Sequence, residues 1–442
     1  MRYKNMKKKI MDKWKQVVVC LILLTIQSVN AIAQNSYSIS EQQDRLYQYA
    51  GTWVSSINAD TDSIAKHPNL RMINTPKLGK QSLQVEVQQY RNGKYYPILV
   101  ELIGYDHKTD KIFAAGHNES GEFFTGTGAF SSENKWFMQD SDLNGKKTMS
   151  VTFDFLNCTE VMVEGFDNAN KSLWKTRYVK ANSKAKNIGI QLVSVHDEMQ
   201  KDPIGTLKLL GRMGYAFVET FVYDNGLFYG MSPTLFKEEV EKAGMKFLGS
   251  MTFHNLPLKG KWNESLKWWG KCISDHKKAG VAYLSTSNNQ IKGIKTIADL
   301  QNFCDYYNAI GKLCADNGLQ FVFHNHADEF LFVDGVRVYD YFLQHTDPDL
   351  VFFQTDFYWM NRGGANPVDY FKKYPNRFIS WHVKDDKELG ESGKINFDEI
   401  FEYQNKIALK YILAEVEDYN FPPLYSVSLA WDYINTYYQN KK

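Results

Sequence analysis

Hydrophobic and polar residues alternate with a period of two along residues 45–180, in short runs separated by turn residues. The clearest runs are "SLQVEVQQY", "YYPILVELIGYD", "KIFAAGHN", "EFFTGTGAF", "TMSVTFDFL", "EVMVEGFD" and "SLWKTRYVK". Such alternation is typical of antiparallel strands that bury one face and expose the other. We therefore predict an all-β domain over residues 35–183, either a sandwich or a small barrel.

The pattern changes at Ile188, where strand-like runs begin to alternate with helix-like segments. The strand-like runs are "IGIQLVS", "YAFVETF", "KFLGSMTFH", "VAYLSTSN", "LQFVFHNH", "VFFQTDFYW", "FISWHVKD" and "YILAEVED". The helical segment "SPTLFKEEVEKAG" begins with Ser232 as its N-cap and Pro233 at its first helical position, and Gly244 is its expected C-cap. This alternation predicts a parallel sheet with covering helices.

Eight strand–helix units fit the second domain, which we place at residues 187–442. Its length, 442 − 186 = 256 residues, matches a (β/α)8 TIM barrel of about 250 residues. An open doubly wound sheet is the alternative, but no G-x-G-x-x-G follows the first strand. The predicted fold class is therefore α/β, a TIM barrel preceded by an all-β domain.

Residues 1–34 have the pattern of a secretory signal. A lysine-rich start leads into "VVVCLILLTIQSV" and then "AIAQ", an A-x-A cleavage pattern that ends at Ala33. The alternative, an uncleaved membrane anchor, is disfavoured because the apolar run is shorter than the ~20 residues of a spanning helix. We expect an exported, periplasmic protein with no stable membrane span once the signal is removed.

Overall charge argues for a small uncharged partner. The chain has 52 Lys and Arg residues against 50 Asp and Glu residues, a formal net charge of +2, which favours neither nucleic acid nor an acidic substrate. The cysteines outside the signal show no C-x-x-C spacing and are expected to be buried free thiols: Cys158, Cys272, Cys304 and Cys314. We expect a carbohydrate substrate and no nucleic acid, and a homo-oligomer stays open.

Polar residues that can carry chemistry fall at the predicted ends of the TIM-barrel strands, where barrel enzymes place their active sites. The residues at these ends are Glu219, His254, His324, His326, Asp356, His382, Lys384, Glu415 and Glu417, and His196 lies just beyond the first strand. Each alone has an ordinary structural explanation. Together, histidines and carboxylates from four consecutive strands favour a metal site.

The predicted metal is a single divalent cation. His324 and His326 lie on the same face of their strand because side chains alternate, so both imidazoles can point into the barrel mouth. A ligand set that mixes nitrogen and oxygen atoms suits Mn²⁺, Co²⁺, Zn²⁺ or Mg²⁺ and does not choose among them.

Five motifs in order along residues 187–442 resemble the xylose isomerase-like TIM-barrel superfamily, the sugar phosphate isomerases and epimerases related to AP endonuclease family 2. They are "IGIQLVSVHDEM", "FHNHADEF", "TDFYW", "NPVDYFKKYPNRFISWHVKD" and "AEVEDY". In the first domain, "GTW" is loosely similar to lipocalin-like barrels, a likeness too short to carry function.

The resemblance implies one divalent metal held by residues at the ends of strands five to eight. Asp356, His382 and Glu415 match the aspartate, histidine and glutamate of strands six, seven and eight. Strand five departs from the family, which often has a glutamate before Asn-His. His324, His326 or Glu329 can supply the fourth ligand, and we assign His324. Strand one departs as well.

At strand one, relatives with a motif like "QLYSVRDE" have an arginine at the position where this chain has His196.

We assign general-base roles to His326 and Glu329 and proton donation to Lys384 or His254. Substrate contacts are assigned to His196, Glu219, Trp359 and Glu417.

The expected function is a metal-dependent isomerase or epimerase that removes a proton beside a carbonyl of a non-phosphorylated or keto sugar, since no Gly-rich loop or arginine cluster for phosphate is present. The same site supports β-elimination, so a keto-glycoside lyase or hydratase is the main alternative. A non-catalytic glycan-binding protein is the alternative of a different class.

Overall fold

The computed structural model describes residues 39–57, 65, 67–77, 82–132, 134–181, 187–257, 261–287 and 290–439. The predicted signal, residues 1–34, and the predicted junction, residues 184–186, lie outside this part of the chain. The chain divides into two compact units, and the second begins at Ala181. Each unit is built around its own closed sheet.

The first unit is a closed barrel of ten antiparallel strands, so the barrel alternative holds and the sandwich does not. Helix α1 spans Ile39–Leu46, and the strands are β1 Gly51–Ser55, β2 Leu70–Lys77, β3 Ser82–Arg91, β4 Lys94–Asp106, β5 Lys111–Asn118, β6 Phe123–Ser132, β7 Lys135–Ser141, β8 Lys147–Asn157, β9 Glu160–Phe166 and β10 Ser172–Lys180. The first strand closes the barrel by pairing with both β2 and β10. The sequence pattern did not predict β1, β2 or β7.

Aromatic side chains fill the core of this unit. The rings of Trp136 and Phe153 stack with their centroids 4.2 Å apart, and Tyr49 meets both rings edge-on. Trp53 and Trp136 are almost fully buried. Large aromatic side chains contribute much of the apolar area buried in such a core, so packing in the barrel interior stabilises the unit.

The second unit is a (β/α)8 TIM barrel, as predicted. Its eight parallel strands are β11 Ile188–Gln191, β12 Phe217–Thr220, β13 Lys246–Met251, β14 Tyr283–Thr286, β15 Gln320–His324, β18 Val351–Asp356, β19 Phe378–Val383 and β20 Tyr411–Ala414. A hairpin of β16 Phe332–Val333 and β17 Val336–Arg337 follows β15. The ring closes where β20 pairs with β11.

Helices follow the barrel strands and cover them. They are α2 His196–Lys201, α3 Pro203–Met213, α4 Pro233–Lys242, α5 Asn263–Lys278, α6 Ile297–Asp316, α7 Val338–His345, α8 Phe357–Arg362, α9 Pro367–Lys373, α10 Phe397–Phe401 and α11 Pro423–Gln439. Within the described residues, no helix combines the length and the apolar character that a bilayer span requires.

The start of α4 follows the sequence prediction, and its end differs by one residue. The Ser232 side chain accepts a hydrogen bond from the backbone N–H of Leu235, and Pro233 takes the first helical position. Ala243 rather than Gly244 is the C-cap. Gly244 comes next with a φ of +82°, a left-handed conformation that glycine adopts without a Cβ penalty.

The four cysteines outside the predicted signal are all free thiols. Three of them, Cys272, Cys304 and Cys314, are buried in the TIM barrel, and Cys158 of the first unit is half-buried. The prediction of free thiols is confirmed for all four, and the prediction of burial for three of them.

Candidate metal centre and active site

The register of the parallel strands places polar residues at one level of the TIM barrel. Asp356 on β18 pairs with His382 on β19, and His324 on β15 pairs with Gln354. Because side chains alternate along a strand, Gln354 and Asp356 share one face of β18. His324 and Asp356 are the last residues of their strands and His382 is the last but one, so the site lies at the carboxyl end of the sheet.

His324, Asp356 and His382 form a cluster that can hold a metal ion. One ligand atom from each lies within 4.8 Å of the others, and all three side chains are buried. Oδ2 of Asp356 and Nδ1 of His382 are buried and make no hydrogen bond. Buried polar atoms rarely stay without a partner. Two imidazoles and a carboxylate whose Oδ2 has no hydrogen-bond partner therefore fit a divalent cation.

Glu415 lies beside this cluster, at the start of the loop after β20. Its Oε2 is in contact with Nδ1 of His382 as an ion pair without hydrogen-bond geometry. Its Oε1 accepts a hydrogen bond from Nζ of Lys384 at 2.9 Å. The arrangement brings together the four residues assigned as ligands from the sequence, with two nitrogen and two carboxylate donors.

Asp356 is held in place through its backbone as well as its side chain. Its Oδ1 accepts from the backbone N–H of Trp359 at 2.8 Å, which makes Asp356 the N-cap of α8. The buried amide of Asn325 donates to the Asp356 carbonyl and accepts from the Asp356 N–H. These bonds fix the carboxylate and leave Oδ2 for a ligand.

Glu219 lies beside the histidines, fully buried. Its Oε1 accepts from Gln191 at 2.5 Å and is 3.1 Å from Nε2 of His382. Its Oε2 accepts from Nε2 of Gln354 at 3.0 Å. These protein groups occupy both oxygens of Glu219, and the substrate contact assigned to Glu219 from the sequence stays a prediction.

Lys384 lies next to the cluster and is also buried. Its Nζ pairs with Glu415 and, at 2.8 Å, with Oε2 of Glu417. The same Nζ lies 5.1 Å from the centroid of the Trp359 ring, within range of a cation–π contact. Glu417 keeps 43% of its side chain exposed, so it is the most solvent-accessible carboxylate of this group.

The charges of the cluster are set by burial and by each other. Burial raises the pKa of Asp356 to about 7. Burial alone would lower the pKa of His382, but the Glu415 and Glu219 carboxylates raise it to about 10. Burial opposes ionisation of Glu415, yet Lys384 and His382 hold its pKa well below the ordinary value. A cluster with such perturbed groups is typical of functional sites.

His326 lies at the edge of the cluster and is partly exposed. Its ring centroid is 5.0 Å from that of His324 and 5.4 Å from that of Trp359. Burial lowers the pKa of His326 to about 4, so its imidazole is neutral at neutral pH and can accept a proton.

Glu329 has a different environment from the one expected. Its Oε2 accepts from the backbone N–H of His326 at 2.9 Å, and its carboxyl group is fully buried near Tyr339 of α7. Burial raises the pKa of Glu329 to about 8. Burial and the raised pKa favour the protonated acid near neutral pH, and the base role assigned to Glu329 from the sequence stays a prediction.

His254 and His196 make their ring contacts outside the cluster. The His254 ring stacks on Trp268 of α5, with centroids 4.3 Å apart and planes 11° apart. His196, the first residue of α2, has ring neighbours Phe221 at 6.4 Å and Tyr229 at 6.5 Å. The contacts of neither ring reach His324, Asp356 or His382, and the proton donation assigned to His254 and the substrate contact assigned to His196 stay predictions.

Four residues of the site were missed in the sequence: Gln191, Asn325, Gln354 and Ser380. All are buried polar residues that lie in a barrel strand or directly after one. Their position was the available signal, since Gln354 lies two residues before Asp356 on the same face of its strand. Uncharged amides and hydroxyls are common at strand ends, and the sequence alone does not separate these four from others.

This geometry defines a TIM barrel with a metal-type cluster at the carboxyl ends of strands five to eight. The sequence model of the xylose isomerase-like TIM barrel family matches residues 207–432, which is more than half of the chain. The chain belongs to this family.

Two solved structures are similar to the chain. Both are sugar phosphate isomerase/epimerases from Parabacteroides distasonis ATCC 8503. One is 27% identical with a TM-score of 0.54, covering 58% of this chain and 96% of its own. The other is 28% identical with a TM-score of 0.53, covering 56% and 97%. The aligned share is close to the length of the TIM barrel.

A curated relative is similar over a shorter stretch. It is an inosose dehydratase from Clostridium botulinum (strain Alaska E43 / Type E3), 35% identical over 78 residues, which is 18% of this chain and 26% of the relative. The chain therefore spans about a quarter of the length of that relative.

Proposed function

We propose that the protein is a divalent-metal-dependent enzyme that removes a proton beside a carbonyl group of a non-phosphorylated or keto sugar and returns it, as an isomerase or epimerase does. The observation that carries the proposal is the buried cluster of His324, Asp356 and His382, in which Oδ2 of Asp356 has no hydrogen-bond partner. Glu415 joins them as the fourth ligand. When bound, the ion supplies Lewis-acid polarisation of the substrate carbonyl.

Other residues around the cluster carry out the proton transfers and bind the sugar. His326, neutral and partly exposed, accepts the proton from the carbon beside the carbonyl. Lys384, kept cationic by Glu415 and Glu417, donates to or neutralises the substrate oxygen. The Trp359 ring gives an apolar face on which a sugar ring can pack. Return of the proton to the neighbouring carbon gives isomerisation, and return to the opposite face gives epimerisation.

The similarity to an inosose dehydratase favours a second candidate, a dehydratase or lyase on the same site. His326 takes the same proton as the C–H bond breaks. The bond to the β-hydroxyl then breaks, and that group leaves as water with a proton from Lys384. The two candidates differ only after the first proton is removed, and the products distinguish them. The signal-like residues 1–34 support action outside the cytoplasm under either candidate.

Metal content tests the proposal. Asp356→Asn keeps an N-cap for α8, because asparagine also caps helices, but removes the carboxylate from the cluster. Asp202→Asn is the matched control, since Asp202 caps α3 in the same way and is exposed. We expect about one divalent ion per chain in the parent and in the control, and a large loss in Asp356→Asn.

Proton exchange from keto sugars in D2O, followed by NMR, then tests the chemistry. Exchange without loss of water supports the isomerase or epimerase, and release of water supports the dehydratase. A folded parent that takes up no Mn²⁺, Co²⁺ or Zn²⁺ overturns the metal-dependent function, and the glycan-binding alternative then takes its place.

A further inference from the structure

Glu219 is the common acceptor of three N–H donors beneath the cluster. These are Nε2 of Gln191 at 2.5 Å, Nε2 of Gln354 at 3.0 Å and Nε2 of His382 at 3.1 Å. The Glu219 side chain has no exposure to solvent. A buried carboxylate whose oxygens all accept hydrogen bonds from protein donors in this way orients those donors and does not contact a substrate.

The amide of Gln354 has only one orientation that satisfies its partners. Its Nε2 donates to Glu219 and, at 2.9 Å, to Oγ of Ser380. Both amide hydrogens are thereby used, and Oε1 is left facing Nδ1 of His324 at 3.0 Å. An amide oxygen is an acceptor. Nδ1 of His324 must therefore carry the proton, and Nε2 of that ring is the nitrogen with a free lone pair.

The same reasoning shows which nitrogen of the second imidazole, that of His382, faces a hydrogen-bond acceptor. Nε2 of His382 faces the carboxylate of Glu219, which only accepts, so Nε2 carries a proton. Nδ1, which faces Glu415 as an ion pair, is then the nitrogen that can bind a metal, and it loses its own proton when it does so. The nitrogen that binds a metal is set by the hydrogen bond that the other nitrogen makes.

We propose that Glu219 is a positioning residue that sets the tautomers of both histidines, directly for His382 and through Gln354 for His324. It thereby presents Nδ1 of His382 and Nε2 of His324 to the ion. This inference rests on the proposed metal-dependent function but concerns residues that belong to strands β12 and β18 and touch neither ion nor sugar.

The test compares Glu219→Gln with Glu388→Gln. Glu388 is likewise a buried carboxylate of the TIM barrel, and it accepts from the backbone of Asn420 and from Ser426. In Glu219→Gln the three donors face a side chain with one acceptor atom, so at least one N–H loses its partner. Imidazole ¹⁵N signals of the metal-free protein report the tautomer of His324 at neutral pH and that of His382 at a pH above its raised pKa of about 10. Competition with a chelator reports the affinity for Zn²⁺.

We expect the His382 signals to change in Glu219→Gln and the affinity for Zn²⁺ to fall about 10- to 100-fold, with no change in Glu388→Gln. Gln354→Met is the second variant in case Glu219→Gln does not fold. It should change the His324 signals and leave those of His382 unchanged.

Unchanged imidazole signals in both Glu219→Gln and Gln354→Met overturn the inference. If the parent takes up no Zn²⁺, the proposed function fails, and the tautomer signals of the metal-free protein still decide the role of Glu219.

Discussion

The buried histidine His276 should make the stability of the protein depend on pH in a way that can be calculated. It lies in the last turn of α5 with no exposure to solvent. Its Nδ1 is 2.7 Å from the Cys272 carbonyl, and its Nε2 is 2.7 Å from Oγ of Ser250. Burial lowers the pKa of His276 to about 4, although the Cys272 carbonyl and Asp275 oppose this.

The magnitude follows from the difference between the folded and unfolded pKa values. The unfolded chain binds a proton at His276 below about pH 6.5, whereas the folded protein binds it only below about pH 4. Stability is therefore lost as the pH falls through this window. The full loss is about 3 kcal/mol, and about 2 kcal/mol of it is reached at about pH 5.

Urea unfolding at about pH 7.5 and about pH 5, with a chelator present, measures the effect. Glutamine is neutral at both values, so His276→Gln should lose about 2 kcal/mol less than the parent between them. His117→Gln replaces an exposed histidine and should follow the parent. The reasoning is refuted if His276→Gln and the parent lose the same free energy of unfolding between the two pH values.

Two further predictions concern stability. Arg377→Met should lower the free energy of unfolding by about 3 kcal/mol, because the buried guanidinium bonds the Leu343 carbonyl, and a loss below about 1 kcal/mol would contradict this. Gly249→Ala should also destabilise the protein, by about 1–3 kcal/mol, because the new Cβ would lie 2.2 Å from the ring of the buried Tyr283. Gly270→Ala is the control, because nothing lies within 4 Å of its new Cβ, and it should leave stability unchanged or raise it. Urea unfolding measures both variants. Equal changes in their free energies of unfolding would argue against the clash with Tyr283.

The sequence determined the eight strands of the TIM barrel and their order. Each runs as an apolar stretch bounded by helix signals, and these local patterns survive in the folded chain because a parallel barrel buries both faces of its strands. It also supplied the residues of the cluster, since active-site groups of barrel enzymes lie at strand ends, and Asp356 and His382 end or nearly end their strands.

The β-rich unit shows where local pattern stops being informative. Strands β1, β2 and β7 were not predicted from their sequences, and the choice between a sandwich and a barrel stayed open. That choice depends on whether β1 pairs with both β2 and β10. Strands β2 and β10 lie far apart in the sequence, so no local stretch of sequence shows whether both of them pair with β1.

Tertiary structure alone decided the roles of individual polar side chains at the site. Glu219, Glu329 and His254 all fall at or just beyond strand ends, yet Glu219 bonds a histidine, Glu329 is buried near a helix and His254 stacks on a tryptophan. The position along a strand fixes which end of the barrel a residue occupies. Hydrogen-bond partners and burial come from other strands and helices, and these set the pKa, the tautomer and the direction of each side chain.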